Sequence, residues 1–205
     1  MALSKYKLGE LIELRDERNS DGTFTLEDVR GISTGKEFIE TKANMDGVSL
    51  ASCKVVHCQD FSYVADTSRR GEKIAVAFNI GEKTILTSSI YTVFQVSRPD
   101  VLSSDYLFMY FNRPEFDRYA RFNSWGSARE TFDWSEMQEV EIPIPEISVQ
   151  KSIANMYNVY IERKRINEGL KAQIKDICPI LISGILEEGE CHTDLFVANA
   201  THGKE

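Results

Sequence analysis

Residues 133–157 read DWSEMQEVEIPIPEISVQKSIANMY. Inside this stretch a short alternation, Val140-Glu141-Ile142-Pro143-Ile144-Pro145, runs straight into a helical pattern. The apolar period changes from that of a strand to that of a helix within a few residues. Pro143 and Pro145 donate no backbone hydrogen bond and hold the residues before them extended. That combination suits an edge strand leaving its sheet. Ser148 is placed to cap the helix that follows. The junction divides the chain into a compact front part and a helical rear.

The rear pattern persists from Ser148 for roughly 35–40 residues, or more than about 50 Å of helix. Met156, Tyr160, Arg163, Asn167, Leu170, Ile174, Ile177 and Leu181 step by fours and threes. This is a coiled-coil-like seam with polar residues at Arg163 and Asn167. Pro179 is expected to kink the helix near its end. After Gly184 the sequence EEGECHTDLFVANATHGKE reads as a flexible tail. The expected organisation is residues 1–146 as a front domain, 147–187 as a dimerisation or spacer helix, and 188–205 as the tail. One reading folds the helix back on its own domain as a core element. Its length and narrow stripe favour packing against another long helix. The chain offers no second one, so the expected partner is a second copy.

The front part reads as short strands and helices. Leu8, Leu11, Ile12 and Leu14 stand near helical spacing and predict a helix over residues 6–19. TFTLEDVRGIS and KEFIETK alternate like strands broken by turns. SCKVVHCQDFSYVAD, GEKIAVAFN and GEKTILTSSIYTVFQV are strand-rich, and IGEK predicts a hairpin or an adjacent pair from the last two. Leu107, Tyr110 and Phe111 then mark a helix capped by Ser104 or Asp105. Pro114 opens a second helix carrying Phe116, Tyr119 and Ala120. A polar loop, NSWGSARETF, precedes the junction. The fold class is α+β: a mixed, β-rich domain followed by a long C-terminal helix.

Net charge is −8 over 205 residues. A purely electrostatic DNA-binding module is normally basic, so any contact with nucleic acid must use a local patch. No apolar run is long enough to span a bilayer. MALSKYKLGEL has no signal-peptide apolar core, and a cytoplasmic protein is expected. Cys53, Cys58, Cys178 and Cys191 match no paired zinc-ligand spacing and read as free thiols. In CKVVHC no second ligand pair follows at usable spacing, so its cysteines read as small strand residues.

Catalytic motifs are scarce. There is no GxGxxG, Walker loop or GxSxG, and no methyltransferase signature ending in Pro-Pro-Tyr or Pro-Pro-Phe. His57, His192 and His202 are scattered. Asp28, Glu40 and Lys42 have the order of a metal-dependent nuclease site, in which two carboxylates hold Mg²⁺ and a lysine steadies water. A stand-alone nuclease is therefore one alternative, and a coiled-coil interaction protein without a DNA role is another. Two loops concentrate groups suited to nucleic acid. DTSRRGEK carries Arg69, Arg70 and Lys73, and RYARFNSWGSARE carries Arg118, Arg121, Asn123, Ser124, Trp125, Ser127 and Arg129. Arginine can read guanine bidentately, asparagine can read adenine, and serine or a backbone N–H can hold phosphate.

GSARETFDWSEMQEVEIPIPEISVQKSIANMYNVY resembles the specificity subunits of type I restriction–modification systems. The resemblance lies at the end of a target recognition domain and the start of its following helix. It rests on the loop at Gly126–Arg129, on Ile142-Pro143-Ile144-Pro145, on Gln150, and on Ile153-Ala154. YKLGELIELRDERN and the central strands are similar too, and about residues 5–190 are covered. The resemblance implies a non-catalytic subunit that reads double-stranded DNA. It would direct methyltransferase subunits, and in some systems a restriction motor subunit, to the site. AdoMet, and ATP with Mg²⁺ where a motor is present, would be bound by those partners, leaving this chain without a cofactor. A full specificity subunit has two recognition domains and two long helices; this chain has one of each. The resemblance therefore implies a half-subunit that pairs with a second copy through its helix.

Overall fold

The computed structural model describes residues 4–41, 47–67 and 73–200, with side chains described as far as residue 180. The chain divides into two compact units, residues 1–155 and 156–205. The described residues of the front unit form the strands β1 Ser4–Lys7, β2 Ile12–Leu14, β3 Arg30–Ile32, β4 Phe38–Glu40, β5 Lys54–Val56, β6 Phe61–Tyr63, β7 Val76–Phe78, β8 Ile85–Thr87, β9 Thr92–Val96 and β10 Glu141–Ile144. Its helices are α1 Ser104–Phe111, α2 Pro114–Phe122 and α3 Trp134–Gln138, followed by α4, Ile147–Ala200. The α+β class expected from the sequence is the class observed. No described helix is long and apolar enough to cross a membrane.

The central sheet is antiparallel, in the order β2-β9-β6-β7, and pairs β1-β10, β3-β4 and β5-β8 flank it. Alternation along β7 decides its two faces. Val76 and Phe78 join the main core, while Ala77 and the preceding Ala75 face a second cluster with Ile32 and Val64. Successive strand residues point to opposite faces, so both faces of this sheet are covered. The main core is aromatic. Phe61 stacks between Phe78 and Phe94 at centroid distances of 4.6 and 5.0 Å, and meets Phe111 edge-on at 5.8 Å. Such pairs add to the burial of their large apolar area.

Two sequence expectations are corrected here. Residues 6–19 form no helix: β1, a single 3₁₀ turn at Leu8–Glu10, and β2 occupy them. Leu8, Leu11 and Ile12 are buried as the periodicity suggests, but their backbone pairs with distant strands. Tyr6 lies opposite Ile142, and Ile12 lies opposite Val96. Nor do β7 and β8 make a hairpin. β7 pairs with β6, and β8 pairs with β5. Asn79 shapes the intervening turn, donating through Nδ2 to the carbonyls of Val56, His57 and Lys83 and accepting from Gly81 N–H.

The proline junction is an edge strand, as its sequence requires. Among the described residues β10 pairs only with β1, with Pro143 opposite Lys5. Its carbonyls turn toward α1, where the Tyr106 and Tyr110 hydroxyls donate to Pro143 and Glu141 at 2.9 and 3.1 Å. The cap of α4 differs from the expectation. The N–H groups of Val149 and Gln150 donate to the Glu146 carbonyl, and Ser148 already lies inside the helix. Gln150 is the buried anchor. Its Oε1 accepts from Ser103 N–H at 2.9 Å, and its Nε2 donates to Val101 and Pro145 carbonyls at 2.7 and 2.8 Å. We predict that Gln150→Ala destabilises the front unit by about 1–3 kcal/mol, because it strands buried backbone groups. Urea unfolding matching the parent's would show that solvent replaces those bonds. The helix itself runs to Ala200, past the Gly184 where its sequence pattern weakens, with Pro179 inside it.

Candidate nucleic-acid interface

α2 ends at Phe122, and the polar side chains beyond it serve the helix end. Asn123 Nδ2 donates to the Tyr119 carbonyl at 2.9 Å, and Ser124 Oγ donates to the Ala120 carbonyl at 2.6 Å. These bonds satisfy carbonyls that the helix leaves unpaired. Asn123 and Ser124, expected from the sequence to contact bases, each give one side-chain hydrogen bond to this cap. The chain then closes a tight loop. Trp125 and Thr131 exchange backbone hydrogen bonds of 3.0 and 2.9 Å. Gly126 turns the corner at φ 137°, where side-chain-bearing residues are rarely found. Residues 126–129 form an exposed tip. Ser127 and Arg129 sit on it, and Arg129 has no ion-pair partner among the described residues. Trp125 is 61% exposed, so it is not the packing residue that a lone tryptophan usually is.

The two loops singled out in the sequence meet. Asp66 bridges Thr131, Thr67 N–H donates to the Glu130 carbonyl at 3.0 Å, and Phe132 N–H donates to Ala65 at 2.9 Å. Arg121 spans both, donating to the Thr67 carbonyl at 3.1 Å while pairing with Glu130 at 3.1 Å. Its guanidinium is thus a brace between the loops as well as a surface charge. Lys73 is exposed at the far end of the first loop. Arg69 and Arg70 lie outside the described residues. The frame of Thr67, Glu130 and Thr131 carries no sequence signal, since each is an ordinary polar residue until the loops are folded together.

Of the nuclease-like set, Asp28 is engaged in its own turn. Asp28 Oδ2 accepts from the N–H and hydroxyl of Thr25 at 2.8 and 3.3 Å, closing its own 3₁₀ turn. Glu40 ends β4, and Lys42 lies outside the described residues. Among the described residues no group of three or more His, Cys, Asp or Glu side chains is placed to hold a metal ion.

An exposed arginine and tryptophan sit on a loop whose backbone is braced, in a β-rich domain followed by a long helix. The type I restriction modification DNA specificity domain family matches residues 3–176. The chain belongs to that family. Solved structures agree on the specificity-domain fold. The HsdS subunit from Thermoanaerobacter tengcongensis is 18% identical with a TM-score of 0.61, covering 87% of this chain and 47% of that one. The type I restriction-modification S subunit from M. genitalium is 15% identical with a TM-score of 0.50, covering 80% and 40%. A chain from a study of complex assembly and conformational transition of the type I R-M system is 14% identical with a TM-score of 0.51, covering 85% and 43%. This specificity domain therefore spans less than half the length of the solved chains it matches. No curated protein matches it.

The second unit presents an apolar stripe. Met156, Tyr160, Leu170, Ile174 and Ile177 are all exposed. Val159, Ile166 and Ile180 are exposed too, at heptad steps beside them, so the stripe is wider than the fours-and-threes seam alone. Arg163 and Asn167 interrupt it, and the Leu181 side chain lies outside the described residues.

Proposed function

We propose that this chain is a half-length DNA specificity subunit of a type I restriction–modification system. Its front domain reads one half of a bipartite site in duplex DNA and directs methyltransferase subunits, with or without a restriction motor, to that site. The observation that carries this reading is the family match across residues 3–176, together with the braced loop that exposes Arg129 and Trp125. The chain itself performs no chemistry. AdoMet, and ATP with Mg²⁺ for a motor, belong to the partner subunits. Arg129, Trp125, Ser127 and Lys73, with Arg69 and Arg70, make the contacts to DNA, while Arg121, Asn123 and Ser124 hold the loop in place.

Two copies pair through the stripe from Met156 to Leu181 and present identical readers in opposite orientations. Such a two-fold assembly reads a palindrome split by a nonspecific spacer, because site symmetry mirrors protein symmetry. Mapping methylated adenines in cells that carry this chain and its methyltransferase partner tests both statements. A split palindrome is expected, and methylation unaffected by deleting this chain would refute the reading. Arg129→Ala should cost about 1–3 kcal/mol of specific binding and relax one position of the site. An unaltered methylation sequence and affinity would remove Arg129 from the interface. Leu170→Glu combined with Ile174→Glu should convert a dimer into monomers in light scattering while the front domain stays folded. A dimer that survives would place the contact elsewhere.

A further inference from the structure

Beside the loop of residues 123–131 lies a cleft of about 610 Å³ between the turn at residues 34–36 and one face of α2. At its floor the Lys36 ammonium pairs with Asp117 at 2.7 Å and also donates to the Phe111 carbonyl. Asp117 accepts in addition from Ile74 N–H at 3.2 Å, so its charge is satisfied within the fold. The free charges of the cleft are positive. Lys73 lines the same cleft and has no acidic partner among the described residues. Arg118 reaches only a long, exposed contact with Glu115 at 3.4 Å. Such a pair is worth little and is readily exchanged for a better anion. Next to these cations Phe122 is 80% exposed. Arg121 borders the cleft and braces the reading loop as well, so the two surfaces are continuous.

We infer that this cleft is a second DNA-contact surface, which seats the phosphodiester backbone of the strand flanking the bases read by the loop. Lys73 and Arg118 face phosphates, and Phe122 packs on the adjoining sugar edge. The inference rests on the proposed function and adds a surface that fixes the register of the domain on the duplex without reading sequence. Charge complementarity is its main support: the chain carries −8 overall, yet its cleft beside the loop is cationic.

The test is equilibrium binding of the full chain to a mixed-sequence duplex and to the mapped target, over a range of salt concentrations. Arg118→Gln and Lys73→Gln should each flatten the slope of log affinity against log salt by about one, and weaken both duplexes alike. Phe122→Ala should weaken both duplexes with the slope unchanged. All three side chains are exposed, and circular dichroism checks that the fold is kept. Slopes and affinities equal to the parent's in all three variants would overturn the cleft assignment alone, and so would a loss confined to the target duplex. A parent chain that binds neither duplex would overturn the specificity-subunit reading itself.

Discussion

Replacing Asp117 with alanine is expected to destabilise the front unit by about 3–5 kcal/mol, the typical result of removing one partner from a buried ion pair. Lys36 and Asp117 side chains are 4% and 11% exposed. Lys36 also adopts a left-handed backbone, φ 66°, and its ammonium lies 5.7 Å from the centre of the Phe116 ring. Without Asp117 that ammonium keeps only the Phe111 carbonyl. For a unit of this size the loss corresponds to roughly 6–20 °C in Tm. Its pH dependence identifies the cause. Burial already holds Lys36 below the ordinary lysine range, and Asp117 opposes that shift. In Asp117→Ala the opposition is gone, so folded Lys36 releases its proton at lower pH than unfolded Lys36. The unfolded chain then binds more protons, and the variant regains stability as pH rises toward the ordinary lysine range. The double variant Lys36→Met with Asp117→Leu should recover most of the loss at neutral pH, since apolar packing often replaces a buried pair at little cost. A single variant within about 1 kcal/mol of the parent would mean that water reaches the site.

This pair also marks where sequence reading stopped. Lys36 and Asp117 stand 81 positions apart, and neither has a neighbour that announces burial. The N-terminal segment failed for a related reason. Leu8, Leu11 and Ile12 are apolar at helical spacing, but a helix of about four turns is marginal alone. Distant strands decide their conformation: Leu8 N–H donates to the Val140 carbonyl, the Leu11 carbonyl accepts from Ser97 N–H, and Ile12 lies opposite Val96. The hairpin expected between β7 and β8 yielded to the bonds of Asn79, whose partners at Val56 and His57 are again distant. By contrast, the junction at Pro143 and Pro145 was legible because proline constrains the backbone locally. The helical stripe from Met156 was legible because periodicity is local too. The candidate interface lies between these cases. Its arginines and glycine could be read from composition, whereas the bracing of one loop by Thr67, Glu130 and Arg121 is a product of the fold. The capping of α2 by Asn123 and Ser124 is local, and an asparagine just past a helix signals it.

Gly126→Ala should separate recognition from folding. A Cβ added at Gly126 would overlap the Arg129 carbonyl oxygen and approach Glu130 Cα to 3.6 Å. The φ of 137° adds strain that no side-chain rotation can relieve. The loop must therefore reopen, breaking the reciprocal bonds between Trp125 and Thr131 that hold Ser127 and Arg129 on the tip. The core does not depend on those bonds: Phe132 is tied separately to Ala65, and the cap of α2 precedes the glycine. Global stability should fall by no more than about 1–3 kcal/mol, the scale of a strained backbone site. Specific DNA affinity should fall by at least about 100-fold, toward the nonspecific level, because the backbone that presents Arg129 loses its fixed shape. Hydrogen exchange at the Trp125 and Thr131 amides should accelerate, while exchange along β6 should not change. Ser127→Ala leaves the glycine in place and should cost far less, which distinguishes loss of loop shape from loss of one polar group. A Gly126→Ala chain that binds its target like the parent, and directs methylation to the same sequence, would show that the shape of this loop is not what reads the DNA.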